Sequence, residues 1–251
     1  MSGAQLVVLV AIFFLTSIVN VVTGSTSLIT VPVLIGVGMD PRVAIATNML
    51  ALIFMSAGGS VPFLRTGAIS RQRLPLSVLL TVAGSALGAL VVPAVPVQQL
   101  RLCIALAMIA VAVFTLARRD LGLATEERRV PSSAVFLGYV VTFLLAIYGG
   151  FFSGGYVTLL TSAFVILFGM TFLQAVATTK VVNVFSSGVA TLVFLWRGVV
   201  DVWLGLILGV TMFAGALLGG RIAVRLSAVW LRRIFIAAVL GLAARMLWAL
   251  R

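Results

Sequence analysis

The single lysine of this 251-residue chain, Lys180, falls about eight residues into an apolar run that begins near Phe172. Carrying an ammonium into hydrocarbon costs roughly 2.5–3.5 kcal/mol on insertion scales, so the group calls for a partner. No carboxylate shares an apolar run with it, because Asp40, Asp120, Glu126, Glu127 and Asp201 all lie at run ends or in connectors. An anionic ligand is the natural partner. The alternative is a side chain that snorkels to the near interface and rests its head on carbonyls or lipid phosphate. The remaining polar candidates at depth are Thr178, Thr179 and Asn183 beside the lysine, Thr47 and Asn48 in an earlier run, and Ser25, Ser27 and Ser153 at two helix-breaking knots. Asn183 follows Thr179 by four residues and shares its helix face. Small hydroxyls next to glycines leave space, donors and exposed backbone N–H groups, and helix N-termini at such breaks add partial positive charge. That is the chemistry of an anion site in a transporter core. The same side chains also serve to tie helices together.

Other chemistries lack their residues. With no histidine, the chain has neither the commonest proton relay nor a common metal ligand. It has no phosphate-cradling glycine loop followed by Lys-Ser/Thr, no cluster of metal ligands and no acid–base pair at depth. The expectation is a protein that is not an enzyme and needs no cofactor; ATP-driven transport would require a partner subunit. Any coupled proton would travel on the substrate, on Lys180 or through water. A potassium-type channel is disfavoured by knots that differ between the two halves and by a lysine at depth. Cys103 is the only cysteine, which excludes an intrachain disulfide, and its apolar surroundings predict a small packed hydrophobe.

The elements that must position these groups are membrane helices. Hydrophobic residues make up 63% of the chain and charged ones 9%, with a mean hydropathy of +1.29, whereas soluble domains carry about 25% charge. Apolar runs cover roughly 4–22, 28–37, 43–62, 74–93 and 99–117, then 134–152, 156–168, 172–194, 199–220 and 232–250. The first run has no basic leader and, with its continuation to about Ile35, is too long for a signal-peptide core, so it reads as mature structure. Knots at Thr23 to Ser27 and at Gly149 to Gly155 predict a broken helix in each half, unwound backbone being tolerated at depth only against protein or a watery cavity; the alternative is a kinked, strongly tilted single helix with a surface loop. The net charge of +12 sits mainly between runs. It reads as a topological and headgroup signal rather than a nucleic-acid surface. Trp196, Trp203, Trp230 and Trp248 lie near run ends, as interfacial anchors do.

The chain also repeats itself. A shift of 131 residues without a gap pairs Gly24 with Gly155, Thr30 with Thr161, Gly38-Met39 with Gly169-Met170, and Ala44, Ala46 and Thr47 with Ala175, Ala177 and Thr178. It goes on to pair Ser56 with Ser187, Gly67 with Gly198, Gly84 and Gly88 with Gly215 and Gly219, and Leu100-Arg101 with Leu231-Arg232. The expected organisation is a first transmembrane repeat over 1–117, a charged linker over 118–133 on the cytoplasmic side, and a second repeat over 134–251. Counting each broken stretch once, each repeat holds about four apolar runs, with a Gly/Ser/Thr-rich break after its first helix. Inverted copies would place eleven arginines on one face against Arg42, Arg101, Arg197 and Arg251 on the other, while parallel copies would split them nine to six. The positive-inside rule therefore favours inversion. The Gly84/Gly88 and Gly215/Gly219 pairs predict close helix contacts, and such faces permit a homodimer without requiring one.

With the stretch from Gly24 to Leu34, then Gly38-Met39 and Ala44 to Asn48, and their echoes in Gly149 to Gly155, Gly169-Met170 and Ala175 to Asn183, the sequence resembles the TauE/SafE family of sulfite exporters and permeases. The likeness spans essentially the whole chain. Lys180 and Asn183 match the family pattern around the second half's helix, and Asn48 and Thr179 stand where it often has a small polar residue. The first break departs from the family's usual run of glycines, since Gly24 is followed by Ser25, Thr26 and Ser27. The resemblance implies an integral protein of a bacterial or archaeal plasma membrane that moves a small sulfur-containing anion by alternating access. Sulfite, sulfoacetate or a related sulfonate, and thiosulfate are the implied cargo. Membrane lipids are then the other partners, with no role for nucleic acid. The alternatives are a structural or assembly protein in which the breaks serve packing only, and a channel for the same anions.

Overall fold

The computed structural model describes residues 2–64, 67–117 and 126–222. Within them the chain is helical throughout, with no strand: α1 (Gly3–Thr23), α2 (Ser27–Gly36), α3 (Pro41–Leu64), α4 (Leu74–Val91), a 3-10 turn (Val92–Ala94), α5 (Val97–Ala117), α6 (Ser132–Phe151), α7 (Tyr156–Phe168), α8 (Phe172–Trp196) and α9 (Val202–Ile222). Seven of these helices are long and apolar enough to cross a membrane. The other two, α2 and α7, run for 10 and 13 residues. At 1.5 Å per residue they are about half to two-thirds of the roughly 30 Å that a spanning helix needs. The chain is an all-α polytopic membrane protein. The final apolar run, with Arg225, Arg232, Arg233, Arg245, Arg251, Trp230 and Trp248, lies outside the described residues, as do Arg65, Arg118, Arg119 and Asp120.

The burial pattern is that of a protein solvated by lipid. Val7, Leu15, Phe136, Leu144 and Leu192 stand out from the helices, while Ser17, Asn48, Thr81, Thr142 and Thr191 are enclosed. Leaving one large apolar side chain in water forgoes roughly 1.5–3 kcal/mol, so this outer surface belongs in hydrocarbon. Trp196 and Trp203 are about three-quarters exposed at facing helix ends, where indole rings meet the headgroups. Cys103 is exposed on the outer face of α5. Its expected place in a packed interior is therefore corrected: an apolar run does not distinguish a core face from a lipid face.

Both helix breaks are present, and glycine makes them. Gly24 follows α1 at φ +68° and Gly155 precedes α7 at φ +82°, a left-handed conformation that costs residues with a Cβ roughly 1–2 kcal/mol. The six positive-φ glycines among the described residues fall into three pairs separated by 131: 24 and 155, 38 and 169, 67 and 198. Helix packing recurs at the same spacing. A Cβ on Gly84 would sit 2.7 Å from the Phe143 carbonyl oxygen of α6, and one on Gly215 would sit 2.7 Å from that of Phe14 in α1. Gly88 and Gly219 repeat the contact one turn on, against Ile147 and Ile18. Thus α4 seats on α6 and α9 on α1, each through a glycine pair.

The two most enclosed spans, α3 and α8, cross at the centre. Ser70, just past α3, donates its backbone N–H to Thr178 Oγ1 near the start of α8. Gly59 lies against Lys180, Ser56 pairs with Asn183, and Thr47 Oγ1 accepts from the N–H of Asp201 beyond the end of α8. Partner numbers fall along α3 as they rise along α8, so the two helices run antiparallel.

Candidate functional site

Polar side chains on α3 and α8 divide into two groups by what they touch. The first group fastens backbone. Thr178 accepts from Ser70 N–H at 3.1 Å, and Thr47 accepts from Asp201 N–H at 3.0 Å. These bonds hold the turns after Gly67 and Gly198 at opposite ends of the α3–α8 crossing, so Thr47 is remote from Lys180 along α3. The short helices are riveted in matching fashion. Thr30 donates to Asn48 Oδ1 at 2.7 Å, Thr161 and Thr179 share a hydrogen bond at 2.9 Å, and Asn48 Nδ2 donates to Ser27 Oγ at 3.0 Å. Ser25 meets Thr158 at 2.6 Å across the two breaks. Ser153 is buried in the second break, where its carbonyl accepts from Tyr156 N–H at 3.3 Å. Thr26 reaches the Met55 sulfur at 3.3 Å, which sets the first break level with the middle of α3.

The second group is left over. Lys180 is 1% exposed, its stem lying along Gly59, where a Cβ would sit 3.6 Å from Cδ and 3.9 Å from Cε. Its ammonium makes no hydrogen bond and meets no carboxylate among the described residues. Three residues on, Asn183 Nδ2 donates to Ser56 Oγ at 2.6 Å and Oδ1 has no partner. With the amide turned over, Ser56 would donate to Oδ1 and the NH2 would be the free end. Ser187 Oγ and Thr191 Oγ1 are also buried and unpartnered. Lys180, Asn183, Ser187 and Thr191 follow one another at i, i+3, i+7 and i+11, one face of α8. Each orphaned polar group costs roughly 1–3 kcal/mol, a standing expense that packing does not explain.

Of the residues expected at the site, the structure brings Lys180 and Asn183 together and puts Thr178 and Thr179 on the turn before them. Ser25, Ser27, Asn48 and Thr179 act as rivets of the breaks. Ser56, Ser187 and Thr191 were not expected here; the signal was the four-residue spacing from Asn183 through Ser187 to Thr191. No group of three or more His, Cys, Asp or Glu able to hold a metal occurs among the described residues.

Two neighbouring glycines give a local test. A Cβ on Gly58 would meet the Phe213 carbonyl oxygen at 2.9 Å, while one on Gly59 would make ordinary contact with the lysine stem. Gly58→Ala is expected to lower stability by the roughly 1–3 kcal/mol of overpacking. Gly59→Ala should leave it unchanged or slightly higher, as measured by thermal unfolding in detergent.

No solved structure matches this chain. Among related proteins, one from Sinorhizobium, called "Probable membrane transporter protein ORF9", is 30% identical over 93% of this chain and 89% of its own length. Escherichia coli "Probable membrane transporter protein YfcA" is 30% identical over 86% of this chain and 79% of its own. A Haemophilus influenzae "Probable membrane transporter protein" is 29% identical over 88% of this chain and 84% of its own. Residues 9–246 match the family described as "Sulfite exporter TauE/SafE". That match takes in both breaks and the α3–α8 crossing that holds Lys180, and the chain belongs to the TauE/SafE family.

Proposed function

We propose that the chain is a secondary transporter for a small sulfur-containing anion, sulfite or an organosulfonate, working by alternating access between two inverted copies of one unit. The copies occupy residues 1–117 and 134–251, and the anion binds where α3 crosses α8. The observation that carries this reading is the buried Lys180, with no carboxylate beside it among the described residues and one turn from an asparagine with a free amide end. An oxyanion would supply the missing charge to Lys180 and, with the Asn183 amide turned over, accept from its Nδ2, while Ser187 and Thr191 extend a line of hydroxyls along the same face. The family's description as sulfite exporters and the relatives' names as probable membrane transporters support transport as the activity.

Inversion has its own support. Helices α3 and α8 correspond under the 131-residue shift and run antiparallel, whereas copies related by an axis along the membrane normal would run parallel. A central crossing of equivalent helices between two halves suits a rocking motion that exposes Lys180 to one side at a time. In the arrangement described here the lysine side chain is 1% exposed.

Purified protein reconstituted into liposomes is expected to pass sulfite, sulfoacetate or thiosulfate with saturable kinetics, and chloride or sodium far more slowly. A flux of all three sulfur anions no greater than that of protein-free vesicles would overturn the function. Flux that grows linearly with concentration would replace the transporter by a channel.

A further inference from the structure

At the Ser70 end of the α3–α8 crossing the molecule carries a concavity of about 330 Å³. One wall is the loop before α4, with Ser70 and Arg73; another is residues 127–130, in the described end of the linker; the third is the turn between α7 and α8. Three arginines line it, Arg73, Arg128 and Arg129, with one acidic residue, Glu127. That carboxylate is engaged, since Gln174 Nε2 donates to it. The Arg73 guanidinium lies 5.5 Å from the centre of the Phe168 ring, so an aromatic face rather than an acid holds it. None of the three arginines forms an ion pair among the described residues.

The linker segment is fixed in place. Arg128 donates its backbone N–H to Gly169 O at 2.9 Å. Gly169 sits at φ +67°, and a Cβ there would overlap the Arg128 carbonyl oxygen. Glycine is therefore required at that turn twice over, once for conformation and once for the seat of the linker. Under the 131-residue repeat Arg73 corresponds to Leu204, so the repeat does not carry this arginine into the second half. Its Ser70 wall is hydrogen-bonded to Thr178, two residues before Lys180.

We infer that this pocket is a second anion site, selective for an oxyanion of phosphate, sulfate or sulfonate type, that gathers anions at the linker-side mouth of the molecule. Guanidinium groups present forked donors matched to such oxygens, and an excess of positive charge in a concave wall raises the local anion concentration. The oxyanion is either free in solution or the headgroup of an anionic lipid. The inference rests on the proposed transport only for its benefit to flux; the site itself is testable without transport.

The test uses full-length protein in detergent at low ionic strength, with inorganic sulfate as probe and chloride of equal ionic strength as control, reading the melting temperature. Sulfate should stabilise the wild type and should still stabilise Lys180→Met, because the pocket is separate from the lysine. Arg128→Gln/Arg129→Gln should remove that shift and Glu127→Gln should enlarge it; both positions are exposed, so folding is preserved. Adding phosphatidylglycerol distinguishes the sources: a headgroup occupant would suppress the sulfate shift in the wild type, whereas a site for free anions would keep it. An undiminished sulfate shift in the double arginine variant overturns the inference. Absence of sulfite flux with the shift intact would count against transport alone.

Discussion

Lys180→Met is expected to abolish saturable anion transport while leaving the protein folded and at least as stable. Methionine matches the length of the lysine stem and keeps its contact with Gly59, so packing is nearly preserved. The ammonium is another matter. Buried at 1% exposure with no carboxylate beside it, it costs insertion energy of roughly 2.5–3.5 kcal/mol, and its removal relieves that cost. Charge-assisted hydrogen bonds contribute roughly 1.5–3 kcal/mol each, so losing even one lowers apparent affinity roughly 10- to 150-fold, and losing the whole three-donor ammonium removes saturable binding. Lys180→Arg keeps the charge but carries a wider planar head and is expected to restore flux only in part. A lysine that served the fold alone would give the opposite signature, a lower melting temperature with unchanged KM. Parallel measurement of unfolding and of flux against concentration separates the two.

The second large effect is structural. Gly88 and Gly150 hold α4 against α6 so closely that a Cβ on Gly88 would overlap the Ile147 carbonyl oxygen, and one on Gly150 that of Ser85. Ordinary overpacking costs roughly 1–3 kcal/mol because side chains yield. Here the obstacle is backbone, and two helices must part along their length. Gly88→Val and Gly150→Val are each expected to exceed that range and to prevent recovery of a monodisperse protein from membranes. Gly188→Ala makes the control: open space surrounds that position within α8, and replacing a helical glycine gains up to roughly 1 kcal/mol. Gel-filtration profiles and melting curves of the three variants check this. A well-behaved Gly88→Val protein would mean that α4 and α6 do not pack as described.

Much of this arrangement was legible in the sequence because its physics is local. Hydropathy over about 20 residues marks a span, and the glycines at 24 and 155 mark the breaks that the backbone then makes at positive φ. Lys180 stood out because one ammonium in an apolar run is rare whatever surrounds it. The roles of the hydroxyls were not legible. Thr47 and Thr178 read as neighbours of the lysine, yet each accepts from a backbone N–H beyond the opposite helix, a contact that exists only because α3 and α8 cross antiparallel. Asn48 and Thr179 likewise became rivets once α2 and α7 were laid against them. Ser187 and Thr191 looked like ordinary helix hydroxyls and acquired interest only as orphans. Cys103 shows the same limit from the other side, since apolar sequence alone does not say which face meets lipid.

The most direct measurement is counterflow of labelled sulfite into proteoliposomes preloaded with unlabelled sulfite, run side by side for the wild type and Lys180→Met. An anion held by Lys180 between two alternating halves predicts a transient, saturable accumulation of label in the wild type and none in the variant. Equal accumulation in both, or label that only equilibrates at a rate linear in concentration, would contradict it.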